Sequence, residues 1–254
     1  MNTKNTSQNI LIIGASRGIG LGFVKMLLER QETVNIYATY RKKETAQDLF
    51  KLQIKYSSCL NLLQLDITQE EQICTLAKQL KQEISELHLV VNCVGILHGN
   101  NINPEKSLRH INTENLLTYF QVNSIASVLL AKHLLPFFRH SHNSVFATIS
   151  AKVGSIEDNY LGGWYGYRAS KAALNMFLKT ISIEYKRTCP HTIVVALHPG
   201  TTDTNLSKPF QKNVPPEKLF SVERTVKQLL TIIDNLTEND TGQFFSWDGS
   251  CLPW

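Results

Sequence analysis

NILIIGASRGIG, residues 9–20, is the stretch on which the rest of the chain is read. Four successive aliphatic side chains, Ile10 to Ile13, leave no polar face, which is how a strand reads when both of its faces are buried. The run ends at Gly14, and glycines recur at 18 and 20 in a GxxxGxG spacing before a helical pattern begins. Glycines at such a junction allow a tight turn and let backbone approach an anion closely. The helix N-terminus that follows offers unpaired N–H groups and a partial positive charge. A pyrophosphate suits that arrangement. A plain strand–helix turn is the alternative, and the loop's position, after the first buried strand and at the opening of the first helix, favours the anion.

Working outward, similar apolar and β-branched runs recur at 34–40, 60–67, 87–95, 144–150, 192–200 and 243–247. Between them, 18–30, 43–55, 69–84, 112–135, 164–187 and 221–235 carry apolar residues at helical spacing. Thr68, followed by Gln69, Glu70 and Glu71, reads as an N-cap with acidic residues in the first turn. Strand–helix alternation along the whole chain predicts right-handed crossovers and an α/β, doubly wound Rossmann fold. The expectation is one domain, residues 1–254, with a parallel sheet of about seven strands. Segment 201–220, rich in proline and polar residues, is too long for a simple turn and reads as a substrate lid.

Composition narrows the function. The 254 residues include 26 basic and 21 acidic side chains, a formal charge of +5 without a dense basic block, which argues against nucleic acid. At 43% hydrophobic and 19% charged the chain is no disordered segment, and its apolar runs are too short to span a membrane. The N-terminus lacks the pattern of an export signal, so a cytoplasmic location is expected. Cysteines at 59, 74, 93, 189 and 251 form no metal-ligand or redox pair and read as free thiols. No metal is expected, and His140 and His142, in the polar stretch RHSHNS, are expected to face solvent.

Tyr167 is the one tyrosine with a lysine four residues on, Lys171, so the two share one face of a helix. A tyrosine ionises near 10, and a neighbouring ammonium favours the phenolate, so the spacing predicts a lowered Tyr167 pKa and easier proton exchange. At the end of the second strand the chain reads Ala38-Thr39-Tyr40-Arg41, where a carboxylate would bond a ribose 2′-hydroxyl and repel a 2′-phosphate. Arg41, with Arg17 from the glycine loop, can instead clamp a phosphate; the bland reading is two arginines in water. NADP(H) is therefore the preferred cofactor, with NAD(H) as the other option.

With these motifs in place, the whole chain resembles the short-chain dehydrogenase/reductase family, whose glycine loop has this spacing. The family usually has threonine before the first glycine, where this chain has Ile13. The resemblance implies that Gly14, Ser16, Arg17, Gly18, Ile19 and Gly20 hold the pyrophosphate. It implies that Asp66 and Ile67 flank the adenine, and that Asn92 and Gly95 brace the sheet against the cofactor. Pro199, Gly200 and Thr204 then match a PGxxxT segment at the nicotinamide end. Tyr167 becomes the general acid/base, Lys171 its partner and a ribose ligand, and Asn123 the organiser of a proton-relay water. The bland alternative for Asn123 is a buried amide bonded to a backbone carbonyl. For the serine that orients the substrate oxygen, the usual position three residues before a glycine is Ala151. Ser150 is the first candidate and Ser155 the second.

Segments 150–176 and 197–220 and the tail GQFFSWDGSCLPW are similar to the C-factor-like branch, related to sniffer-type carbonyl reductases. The activity implied is NADP(H)-dependent reduction of a ketone or aldehyde to an alcohol, on a small-molecule carbonyl or alcohol substrate. Its rival is a C-factor-like signalling or regulatory protein that binds NAD(P) with little turnover. Whether the chain pairs as a homodimer or homotetramer stays open at this point.

Overall fold

β1 (Gln8–Ile13) lies at the middle of the molecule because both of its faces are apolar: Ile10 and Ile12 join one core layer, Leu11 and Ile13 the other. All four are essentially inaccessible, and each such side chain contributes about 1.5–3 kcal/mol of transfer free energy. The computed structural model describes residues 7–30, 33–99 and 101–254. After β1 come α1 (Gly18–Leu28), β2 (Val34–Tyr40), α2 (Gln47–Lys55), β3 (Leu60–Gln64), α3 (Glu70–Glu83) and β4 (Leu89–Asn92). The chain continues through α4 (Thr113–Phe120), α5 (Ala126–Leu134), β5 (Ser144–Ile149), α6 (Tyr165–Thr188) and β6 (Thr192–His198). It ends with β7 (Thr201–Thr202), β8 (Leu219–Phe220), α7 (Val222–Asp234) and β9 (Gln243–Ser246).

Seven strands form one parallel sheet in the order β3-β2-β1-β4-β5-β6-β9. This single α/β domain is the doubly wound fold expected. Residues of α1, α2 and α7 pack in one apolar layer; those of α3, α5 and α6 pack in the other. The sheet's order reverses between β1 and β4, and the crevice at the carboxyl ends of those strands is where such folds bind ligands.

Several boundaries differ from the expectation, for local reasons. β3 ends at Gln64 and β4 at Asn92, short of the expected runs, with one further backbone bond beyond each: Leu65 N–H donates to the Tyr40 carbonyl and Cys93 N–H to the Ile13 carbonyl. Thr68 is not a helix cap. Its hydroxyl donates to Asp66 Oδ1 at 2.7 Å, and Gln69 occupies the cap position of α3 without a side-chain bond. The expected helix 112–135 is interrupted by a π turn, Gln121–Ile125, between α4 and α5. Segment 201–220 is no unstructured loop: β7 and β8 close its base as a small parallel pair, with 3₁₀ turns at Lys208–Asn213 and Pro216–Lys218.

Candidate active site

The glycine turn is held by the neighbouring strand. Gly14 sits at φ 79°, and its N–H donates to Thr39 Oγ1 at 2.9 Å while Ala15 N–H donates to the Thr39 carbonyl at 2.8 Å. Thr39 of β2 thus supplies a hydroxyl to a loop that has Ile13 where a threonine is usual. A Cβ on Gly20 would run into the Gly14 carbonyl, so the turn and the first coil of α1 can only pack this closely with glycine there. The cap position of α1, Arg17, makes no side-chain cap bond, which leaves the helix N–H groups open to a ligand. Beside them lies a cavity of about 450 Å³ whose lining includes Ser16, Arg17, Gly18 and Asn205, together with the acidic Glu44 and Asp48. Arg41 is exposed just beyond β2 and is not in that lining.

Across the crevice, Asn92 ties β4 to α5 by donating to Ser127 Oγ at 2.8 Å, and its Oδ1 accepts from Val94 N–H at 3.1 Å. Asp66 Oδ1 is engaged by Thr68. Thr204 approaches the glycine turn: its Cγ2 would lie 3.4 Å from a Cβ at Gly18. Ile67 lines a second cavity, with Thr68, Leu117 and Gln121, separate from the one beside the glycine turn.

The Tyr167–Lys171 pair occupies the first turns of α6, both side chains buried, at 7% and 3% exposure. Lys171 Nζ donates to the Ile149 carbonyl at 3.0 Å and lies 6.0 Å from the Tyr167 ring centre. α6 can come this close to the end of β5 because Gly154 lacks a side chain; a Cβ there would sit 2.7 Å from Lys171 Cβ. Burial pulls the Lys171 ammonium down to about 8. The Tyr167 phenol moves the other way: burial, then the neighbouring Tyr119, raise its pKa. This corrects the lowering expected from the i, i+4 lysine. At 6.0 Å from the ring, the ammonium does not outweigh desolvation, and the phenol stays protonated at neutral pH.

Asn123 lies in the π turn, a distortion that often marks functional helices. Its amide clamps residue 96, accepting from Ile96 N–H at 2.7 Å and donating to the Ile96 carbonyl at 2.9 Å. It also donates to Ser170 Oγ at 3.0 Å, and that hydroxyl donates to the Tyr167 carbonyl at 2.8 Å. Asn123 therefore connects the segment after β4 to the turn bearing Tyr167. The buried-amide reading describes its bonds in this structure.

Neither serine candidate is brought to Tyr167. Ser150, 2% exposed, donates to Asn175 Oδ1 at 2.6 Å, and Ser155 donates to the Trp254 carbonyl at 3.2 Å. Ala151 is the residue whose side chain packs in the cluster around Tyr167. Alternation along β5 carries into the residues just after it, so adjacent side chains point to opposite sides.

Other side chains of this site were not singled out by the sequence, although Phe210 lies in the expected lid, 201–220. Trp164 precedes α6 in a left-handed conformation, φ 53°, rare for a bulky residue and found where surroundings enforce it. Its indole packs edge-on against Tyr167 at 6.1 Å and against Phe210 of segment 201–220 at 5.0 Å. His98 closes on the other side of Phe210 at 5.8 Å. Beneath them Glu105, 2% exposed, accepts from Gly166 N–H through Oε2 at 3.1 Å, and its carbonyl accepts from Trp164 N–H at 2.6 Å. An acidic side chain from a distant segment thus serves the helix start that lacks a local cap.

Comparison with known proteins agrees with this geometry. The chain superimposes on the carbonyl reductase Sniffer of D. melanogaster with a TM-score of 0.86 at 27% identity, covering 98% of this chain and 100% of that one. An NADPH-bound carbonyl reductase from chicken fatty liver matches with a TM-score of 0.87 at 30% identity, covering 98% and 94%. A benzil reductase ((S)-benzoin forming) of Saccharomyces cerevisiae is 32% identical over 82% of this chain and 76% of its own length. Residues 8–215 match the family model described as short chain dehydrogenase. The chain, an oxidoreductase, belongs to the short-chain dehydrogenase family.

Proposed function

We propose that this protein is an NADP(H)-dependent carbonyl reductase that converts a ketone or aldehyde to an alcohol. The observation that carries the reading is the buried Tyr167–Lys171 pair, whose ammonium would lie 3.5 Å from a Cβ at Gly95, just after β4. The cradle fits a dinucleotide: the α1 N-terminus is uncapped, Gly20 permits the close turn, and Gly95 has only Asn123 and Lys171 beside it. Ser16, Arg17 and Gly18 would hold the phosphates, with Arg17 and Arg41 meeting a 2′-phosphate. Asp66 and Ile67 would border the adenine, while Asn92, Gly95, Pro199, Gly200 and Thr204 would line the nicotinamide end. When bound, a reduced nicotinamide supplies the hydride that the carbonyl carbon accepts.

The chain's own part is protonic and steric. Tyr167, protonated at neutral pH, donates to the carbonyl oxygen as negative charge develops there. The Lys171 ammonium stabilises the phenolate left behind until solvent restores its proton. The Asn123 clamp keeps the α6 turn in register with the segment after β4. Trp164, Phe210 and Leu97 around Tyr167 favour an apolar, aromatic carbonyl compound, in line with the benzil reductase relative. Segment 201–220 is the lid over this pocket.

One feature favours the rival, a dinucleotide-binding protein with little turnover: Ala151 offers no hydroxyl beside Tyr167, and Ser150 is committed to Asn175. The test is NADPH oxidation by the purified chain against benzil, monoaryl ketones, quinones and aliphatic aldehydes. Turnover fastest with aromatic carbonyls supports the proposal. Tight NADPH binding without oxidation across the panel supports the rival.

A further inference from the structure

At the opposite end of the sheet from the catalytic crevice, β4 and β5 start side by side, with Leu89 paired to Val145. The turns that lead into them bring together Glu86 from one side and His140 and His142 from the other. Their ligand atoms all lie within 4.8 Å of one another. His142 Nδ1 is 2.8 Å from Glu86 Oε2. His140 turns its Nε2 toward the Leu87 carbonyl at 3.1 Å. A proton on Nε2 is required by that bond, so His140 Nδ1 carries the lone pair, which here accepts from the His142 N–H at 3.2 Å. A backbone carbonyl fixing the far ring nitrogen is the usual support of a metal-binding imidazole. A third imidazole, His88, lies tilted beside them, its ring centre 5.7 Å from that of His140 and 5.9 Å from that of His142. Its Nδ1 accepts from Asn9 N–H at 3.1 Å, so its Nε2–H points out as a donor, 3.9 Å from Glu86 Oε2.

We infer that Glu86, His140 and His142 form a site for a divalent transition metal ion, zinc by its chemistry, with the His88 ring alongside. Two imidazoles and one carboxylate are a recognised zinc set that leaves a fourth position for water. Imidazole ligands disfavour magnesium and calcium, which take oxygen. Zinc–ligand bonds of about 2.0–2.2 Å need ligand atoms roughly 3.3 Å apart, so separations of up to 4.8 Å must close by about an ångström while the His142–Glu86 pair at 2.8 Å opens slightly. His142 is exposed and on a turn, so it can make that adjustment. The ion would pin the turn before β5 to the turn before β4. The sequence hides this site because position 86 is far from the HxH pair, and that pair alone reads as solvated. The expectation of no metal is the one this inference replaces.

The experiment is calorimetric titration of the full chain with Zn²⁺ at neutral pH, for wild type, His142→Ala and Glu86→Gln. Wild type should bind one equivalent, with affinity reduced at least about tenfold in each variant. Since all five cysteines are free thiols, Co²⁺ is substituted in parallel: visible d–d bands without thiolate charge transfer are expected. Melting temperature should rise with zinc in wild type and not in His142→Ala. NADPH binding should be the same in all three proteins, because the crevice is at the other end of the sheet. No binding by wild type, equal binding in the variants, or thiolate bands with cobalt would each overturn the inference.

Discussion

Ala151 and Ser150 show how far a single residue can be read. The sequence exposed the conflict between a serine one place early and an alanine where the hydroxyl belongs, but not which way each pointed. The fold decides it, since Ser150 donates to Asn175 while Ala151 packs beside Tyr167. Ala151→Ser should therefore raise kcat/KM for a good ketone, because a second donor reaches the oxygen as it becomes charged. A bond of that kind is worth about 1.5–3 kcal/mol, roughly ten- to a hundredfold. Ser150→Ala should leave kcat/KM within about twofold and cost about 1 kcal/mol of stability. Steady-state kinetics and urea unfolding of both variants check this; a large loss of turnover in Ser150→Ala would return the role to Ser150. Arg17 and Arg41, proposed to meet the 2′-phosphate, belong to the same scale. Arg41→Ala should weaken NADPH by about ten- to a hundredfold and NADH little, since a charge-assisted 2′-phosphate contact is removed, whereas Arg17→Ala also loses a pyrophosphate contact and should weaken both cofactors, NADPH the more. Fluorescence titration with both cofactors measures it, and equal losses for NADH and NADPH would contradict the 2′-phosphate assignment.

At the scale of elements, α6 was legible as a helix from its apolar spacing, and Tyr167 and Lys171 were legible on one face of it. What holds its first turn was not. Glu105, Trp164 and Asn123 come from segments far apart in sequence, and their roles exist only once the chain has folded. The π turn was equally hidden, because one extra residue in a coil barely disturbs apolar periodicity. Glu105 makes a prediction here. Glu105→Ala leaves the Gly166 N–H buried without its acceptor and removes a carboxylate from the helix's positive end, at a cost of about 1–3 kcal/mol. Glu105→Gln retains an acceptor and should cost less. Both variants should lower kcat more than NADPH affinity, as the turn bearing Tyr167 loosens. Equal stability of Glu105→Ala and wild type in urea would show that the carboxylate does not serve the helix.

For the whole molecule, the parallel sheet followed from runs such as 9–13 and 192–197, whose side chains feed both core layers. The pieces that escaped, β7 and β8 and the cluster at residues 86, 140 and 142, are made by long-range pairing that no local pattern records. Burial of Lys171 has a consequence for the stability of the whole chain. Its pKa falls from the usual 10.5 to about 8 in the folded state, so between those pH values the unfolded chain binds more protons. Below about 8 the cost of burying the ammonium is fully present, and stability rises as pH climbs toward 10.5. The span amounts to about 3 kcal/mol. Urea midpoints of wild type and Lys171→Met at several pH values should therefore diverge in favour of wild type as pH rises; parallel curves would contradict a buried, strained ammonium. Beyond stability, the assignment of carbonyl reduction turns on one proton. Tyr167→Phe keeps the buried ring and removes only the donor, so the decisive measurement is its rate of NADPH oxidation with the best aromatic ketone, alongside its NADPH dissociation constant. Turnover should fall by about a hundred- to ten-thousandfold with cofactor affinity nearly unchanged. Turnover at the wild-type rate would contradict Tyr167 as the proton donor.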